Sequence, residues 1–261
     1  MSYKNLELLQ MVTDLDENGY VVFHLDDFDA LADQINEDID SLISSGNYRT
    51  NSKIYSYNDS PRVVESWKHS SAARLLAFHP QIIELIGEYF KAVPKPFSTI
   101  NFVRSTEQPL HSDSIHFGTD PPFQLAAAWV ALEDIDPNSG PLHVVPKSHK
   151  WPEFVYSQIS LPVARSLGDV KRYYELYEDW VSEDLDKRQV QTCVPQMKKG
   201  DVLIWLANLL HGSPGCLDSS ISRRSQVIHF HTDVATNFYN PVFSDPAKAK
   251  NVNRKVEFIP E

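Results

Sequence analysis

Phe123-Gln124-Leu125-Ala126-Ala127-Ala128-Trp129-Val130-Ala131-Leu132 contains the longest unbroken apolar run of the chain, the eight residues from Leu125 to Leu132. A bilayer span needs about 20 such residues, so the run reads as a strand and no segment is expected to cross a membrane. Just beyond it, Asp136-Pro137-Asn138-Ser139-Gly140 is turn chemistry. The same texture extends both ways. Residues 97–103, 141–145, 190–194, 201–206 and 222–231 are short strand-like runs. Glu107-Gln108-Pro109, Asp120-Pro121-Pro122 and Lys199-Gly200-Asp201 punctuate them. Several short strands joined by Pro, Gly and Asp turns predict a sandwich or barrel.

The first hundred residues read differently. Residues 4–17 carry Leu6, Leu9 and Val12 at helical spacing and stop at Asn18-Gly19, and a short apolar strand follows at 20–25. Residues 28–44 place Phe28, Leu31, Ala32, Ile35, Ile39, Leu42 and Ile43 on one helical stripe. Residues 80–91 repeat the pattern behind Pro80. Between two β runs lies an interruption at about 151–189. Its helical stretch 169–186 bears Tyr173, Tyr174, Tyr177 and Trp180. The predicted class is mainly β with N-terminal helices (α+β), in one domain over 1–261. Its parts are a helical portion 1–95, a β core at about 96–235 with the helical insertion, and a C-terminal extension 236–261.

Composition bounds the function. The chain has 261 residues, 42% hydrophobic and 23% charged, which excludes disorder, collagen and coiled coil as global descriptions. Lys and Arg number 24 against 35 Asp and Glu, a net charge of −11. Without a long basic cluster, neither nucleic acid nor an anionic membrane surface is an expected partner. The same charge disfavours a highly anionic substrate unless a local basic patch overrides it. Residues 1–9 include Lys4 and Glu7 and lack the apolar core of a secretory signal. Two cysteines, Cys193 and Cys216, make no disulfide framework. The expected compartment is the cytoplasm.

Leu110-His111-Ser112-Asp113 is the sharpest chemical feature. On an extended strand, residues two apart face the same way, so an imidazole and a carboxylate could hold one edge of a divalent metal. His211, where an apolar strand ends in His-Gly-Ser, is the candidate third ligand. Two His and one carboxylate form the facial triad of non-heme Fe(II) oxygenases. The H-x-D pair carries little alone, since the chain has ten His and a second match at His231-Thr232-Asp233. Further along come Arg223 and Ser225, which face one way on a strand. An inward Arg in an apolar barrel needs a carboxylate, which its fork binds bidentately. No acidic residue has matching spacing, so a dicarboxylic cosubstrate would supply the anion. The plainer alternative, a surface ion pair, suits Arg224 on the opposite face.

His111-x-Asp113, Ala128-Trp129-Val130-Ala131-Leu132-Glu133-Asp134, Asn138-Ser139-Gly140-Pro141-Leu142, Val145-Pro146-Lys147-Ser148-His149-Lys150, Gly200-Asp201-Val202, His211-Gly212-Ser213 and Arg223-x-Ser225 occur in that order. Together they resemble the phytanoyl-CoA dioxygenase family over roughly residues 15–235. The resemblance implies a double-stranded β-helix (a jelly-roll, cupin-like barrel). It implies an Fe(II)- and 2-oxoglutarate-dependent dioxygenase that uses O2, hydroxylates an unactivated C–H bond of a small organic, natural-product or lipid-like substrate, and releases succinate and CO2. It also implies His111, Asp113 and His211 as iron ligands. Arg223 would be the clamp on 2-oxoglutarate, with Ser213, Trp129 and, from the wider superfamily, Ser225 in the same pocket. Another registration would make Arg224 the clamp, but the spacing to His229-Phe230 favours Arg223. Related halogenases lack the carboxylate, so Asp113 favours oxygen transfer.

Candidates for the substrate side are Ser114, Ile115, His116 and Phe117 after the H-x-D pair, although His116 on an unbroken strand faces away. Lys53, Tyr55, Tyr57 and Arg62 lie in a polar segment that could close the barrel mouth. The aromatic stretch 173–180 is either a lid or a helix packed on the barrel. Two other classes stay open at this stage: a cupin-like metal-binding isomerase or sensor that does not turn over 2-oxoglutarate, and a catalytically silent scaffold.

Overall fold

The computed structural model describes residues 3–50, 58–156, 163–164, 166–213, 215–244 and 254–261. In chain order the helices are α1 (Tyr3–Asn18), α2 (Asp29–Ser45), α3 (Ser71–Leu76), α4 (Pro80–Phe90) and α5 (Val170–Arg188). The strands are β1 (Tyr20–His24), β2 (Arg62–Val64), β3 (Pro94–Phe102), β4 (Gly118–Asp120), β5 (Leu125–Ala131), β6 (His143–Val144), β7 (Asp201–Leu206), β8 (His211–Gly212), β9 (Ser225–Thr232) and β10 (Asn237–Tyr239).

Six strands form one antiparallel sheet in the order β1-β7-β5-β9-β3-β2. The short pairs β6–β8 and β4–β10 complete a double-stranded β-helix. All seven residues of β5 are buried, which explains the unbroken apolar run. Side chains alternate across a sheet, and here both faces are covered. Ala126, Ala128 and Val130, with Ile204 of β7 and Ile228 and Phe230 of β9, pack on Leu15, Ile35, Leu76 and Ile82 of the helices. The alternate residues Ala127, Trp129 and Ala131 join Ile100, Phe102, Leu203, Trp205 and Val227 inside the barrel. A strand facing apolar neighbours on both sides loses the apolar–polar alternation of a one-sided sheet.

The N-terminal part supplies both edges of the sheet, β1 at one side and β2 at the other. Tyr20 sits opposite Trp205 in the β1–β7 register. Gly19, at φ +82°, turns α1 into β1, and a side chain there would run into His149 and Leu209.

Some expectations need correction. Residues 190–194 form no strand, and only Cys193 bridges to Val144. The last long strand begins at Ser225 rather than 222, so Arg223 precedes it. In the insertion, α5 buries Tyr174, Tyr177 and Val181 among Phe154, Tyr156 and Val242, with Tyr173 and Trp180 beside them. The aromatic stripe is thus packed on the barrel. Lys53, Tyr55 and Tyr57 lie outside the described residues.

His231 on β9 stacks on Phe97 at 4.1 Å between ring centroids, and its Nδ1 donates to the Gln124 carbonyl. Burial pushes its pKa down to about 3, against a weaker opposing pull from that carbonyl. A histidine held neutral in the fold but free to protonate when unfolded takes stability away as pH falls from its ordinary value of about 6.5 towards 3. Chemical denaturation at pH 7 and pH 5 should therefore show wild type losing about 2 kcal/mol more than His231→Phe on acidification. Equal losses would show that His231 carries none of the acid sensitivity.

Candidate metal centre and its pocket

Backbone geometry builds the site before any side chain does. His111 and His211 form an isolated antiparallel bridge, each N–H donating to the other's carbonyl at 2.9 Å. The rings then stand side by side, 4.6 Å between centroids. Nδ1–H of His111 donates to the Pro109 carbonyl at 2.8 Å, and Nδ1–H of His211 to the Leu209 carbonyl at 3.0 Å. Those bonds select the tautomer that leaves each Nε2 with a lone pair. Gly212 follows because its backbone lies against residues 108–109; a Cβ there would sit 2.7 Å from the Pro109 carbonyl oxygen.

Asp113 completes the cluster. Ser112 is extended, but Asp113 opens a 3₁₀ turn (Asp113–Ile115), so the segment is not the continuous strand the sequence predicts. His111 and Asp113 still share a face. Ligand atoms of His111, Asp113 and His211 lie within 4.8 Å of one another, and all three residues are buried. Trp205 Nε1–H donates to Asp113 Oδ2 at 2.7 Å, and His229 Nε2 lies 3.5 Å from the same oxygen. Burial alone would raise the Asp113 pKa. His211, His229 and His111 outweigh it and hold the carboxyl well below its ordinary range. Burial pushes His111 down to about 3, with His211 adding to it, and burial lowers His211 as well. The cluster is therefore two neutral imidazoles and one carboxylate near neutral pH. That donor set suits a divalent first-row ion such as iron.

Two connected lobes flank the cluster. The inner lobe, about 70 Å³, is lined by Arg223, Trp129, Ser213, Leu142 and Phe102. Arg223 is 2% exposed. Its Nε has no hydrogen-bond partner, and no carboxylate lies within ion-pair distance among the described residues. Its guanidinium sits 5.7 Å from the Phe102 ring and 5.8 Å from the Trp129 ring. Burial, with repulsion from Arg62, depresses its pKa to about 10, which still leaves it charged. The Trp129 indole N–H is likewise buried without an acceptor. Ser213 Oγ accepts from Ser105 at 3.2 Å. Ser225 is fully buried but is not among the residues lining either lobe. Arg224 points away, pairing with Asp40 at 3.0 Å.

These motifs, this sheet and this cluster have relatives. A family model described as phytanoyl-CoA dioxygenase (PhyH) matches residues 15–225. The chain belongs to the phytanoyl-CoA dioxygenase family.

Within the PhyH family, curated relatives include the peroxisomal phytanoyl-CoA dioxygenases of Rattus norvegicus and Bos taurus. The first is 26% identical over 64% of this chain and 42% of its own length. The second is 25% identical over 70% of this chain and 47% of its own. The chain thus spans under half the length of either relative. Solved structures share the fold. The non-heme alpha ketoglutarate dependent carbocyclase SnoK of nogalamycin biosynthesis superposes with a TM-score of 0.66 at 16% identity, over 94% of this chain and 90% of that one. EctD from S. alaskensis with bound Fe gives 0.62 at 18%, over 89% and 77%.

Several site residues escaped the PhyH-type motifs. Trp205 looks like one more apolar residue of β7, and nothing local marks its N–H as a partner for Asp113. Gln108, whose Nε2 lies 3.2 Å from His111 Nε2, sits in a stretch that reads as a turn. Tyr177 is one of several aromatics on α5, yet its hydroxyl accepts from Ser112 N–H at 2.9 Å, between the two ligands. His116 was expected to face away. The 3₁₀ turn swings residue i+3 back over residue i, so its ring stands half-buried 5.5 Å from that of His111. Ser114 and Ile115 are buried but turned from the lobes, Ser114 towards Ser112 Oγ at 3.0 Å.

Groups that orient metal ligands commonly contribute about 10–100-fold to metal affinity. Trp205→Phe keeps an aromatic ring and removes the donor to Asp113. Titration with Co(II), followed by its visible absorption, should show at least tenfold weaker binding. Unchanged affinity would show that Asp113 needs no such support.

Proposed function

We propose that this chain is an Fe(II)- and 2-oxoglutarate-dependent dioxygenase that hydroxylates a C–H bond of a small organic substrate, with succinate and CO2 as coproducts. One observation carries the reading: a buried His111–Asp113–His211 cluster shares a cavity with a buried arginine that has no carboxylate among the described residues. His111 and His211 would hold iron through Nε2, and Asp113 through its carboxylate. Bound there, iron supplies the oxygen activation and redox chemistry that side chains lack.

The remaining work falls to the chain. Arg223 would take the far carboxylate of 2-oxoglutarate, the anion its buried position calls for. The Ser213 hydroxyl and the Trp129 N–H offer further donors on the same wall. Ser225 is buried at the start of β9, outside the residues that line the lobes, and its Oγ has no hydrogen-bond partner. Trp205 donates to Oδ2 of Asp113, the oxygen that also faces His229, and so would hold the carboxylate in place. Ile100, Phe102, Leu142 and Val227 make the inner lobe apolar and restrict water around the reacting centre. His116, His229 and Phe117 line the outer lobe, about 160 Å³, where substrate would lie. Arg223, not Arg224, is the clamp in this reading, because Arg224 is already paired with Asp40 outside the barrel.

Anaerobic titration of Fe(II) and 2-oxoglutarate should raise the weak visible charge-transfer band that chelated 2-oxoglutarate gives. His211→Ala should abolish it. Arg223→Gln should need about 30–4,000-fold more 2-oxoglutarate, the effect of removing one partner from a buried charge pair. Iron binding without any band would return the chain to the metal-binding isomerase or sensor class.

A further inference from the structure

Gln108 makes a contact that the metal ligands alone do not explain. Its side chain is 8% exposed and lines both lobes. Its Oε1 accepts from Arg62 Nη1 at 2.9 Å. An arginine only donates, so this bond fixes which end of the amide is oxygen. The other end, Nε2, lies 3.2 Å from His111 Nε2. The Pro109 carbonyl keeps the His111 proton on Nδ1, so His111 Nε2 presents a lone pair and the Gln108 amide donates to it. Both partners therefore require the same amide orientation. The main chain is held too, the Gln108 carbonyl accepting from Ser213 N–H at 2.9 Å.

That lone pair is the one a metal ion needs. An imidazole nitrogen has a single lone pair, which serves either a hydrogen-bond donor or an ion. The other two ligands keep theirs clear. His211 Nε2 is 3.8 Å from Asp113 Oδ1, beyond hydrogen-bond range. Trp205 and His229 address only Oδ2 of Asp113. An ion that takes His111 Nε2 thus displaces the Gln108 N–H inside a buried wall, and a buried donor without an acceptor is costly. The group due next in this cavity, the near end of 2-oxoglutarate, carries only oxygen acceptors. Resting on the function proposed above, we infer that Gln108 is a positioning residue with two successive acceptors: His111 before the ion is bound, and the near carboxylate of 2-oxoglutarate afterwards. Arg62 holds Oε1 in both arrangements. Gln108 therefore opposes metal binding and supports cosubstrate binding, which places metal loading first.

Two variants test this. Gln108→Leu removes the amide, and Gln108→Glu removes its N–H while keeping an acceptor for Arg62. Co(II) is titrated into metal-free protein by visible absorption, and 2-oxoglutarate into the Co(II)-loaded protein by calorimetry, both without oxygen. Both variants should bind Co(II) more tightly than wild type, by about 2–10-fold in Gln108→Leu, the worth of one hydrogen bond. Both should bind 2-oxoglutarate about 10–100-fold more weakly, the scale of a hydrogen bond to a charged group. A residue that merely supports the fold would weaken both ligands, so the opposite signs are diagnostic. In metal-free protein, the nitrogen NMR signal of His111 Nε2 should move in Gln108→Leu as its hydrogen bond is lost. Cobalt binding no tighter than wild type in either variant, undiminished 2-oxoglutarate affinity, or an unmoved His111 signal would each overturn the assignment. The 2-oxoglutarate charge-transfer band of the wild-type Fe(II) protein is scored separately, so a failed handover and a failed oxygenase reading give different results.

Discussion

His111 and His211 exchange both of their backbone hydrogen bonds, and everything chemical about the cavity depends on that exchange. It sets the two imidazoles side by side, with the Trp205 ring packed 4.3 Å from that of His211. Ring orientation then follows from two carbonyls, those of Pro109 and Leu209, which take the Nδ1 protons. Asp113 arrives two residues later and is steadied by Trp205 from β7. A backbone pair is hard to perturb by substitution. The second layer, Trp205 and Tyr177, is where variation could tune the cluster without dismantling it.

The sheet serves that pair by being buried on both faces. Helices α1 to α4 cover one side, and the barrel interior the other. The helical N-terminal part is therefore structural cladding and also the source of both edge strands. Because β1 lies on β7, the strand that carries Trp205, the start of the chain supports the site from behind. The insertion helix α5 supports it from the front, through the Tyr177 hydroxyl on Ser112.

Much of this was legible in the residues. The stripe on α2 and the run through β7 appear close to where periodicity puts them, because each is long and its burial is regular. The triad residues were legible as a set, and Arg223 was separable from Arg224 by spacing. What failed was short or irregular. β2 and β8 have three and two residues, too few for any period to show. Residues 190–194 have strand-like composition but find only one partner, Val144. His116 was misread because alternation assumes a continuous strand, and a 3₁₀ turn intervenes. Arg62 was visible only as one polar residue in a loop-like segment. Its place in the cavity wall beside Gln108 is set by tertiary structure, which no local pattern encodes.

The bridge between His111 and His211 joins positions far apart in the chain. In the unfolded polypeptide they are separated, and only the weak His-x-Asp pair remains to attract an ion. A metal held by all three side chains therefore favours the finished barrel over every partly formed state. By mass action, free metal at a hundred times its dissociation constant would add about 2.7 kcal/mol to folding. A chain without its metal would then spend more of its time unfolded, where proteolysis acts.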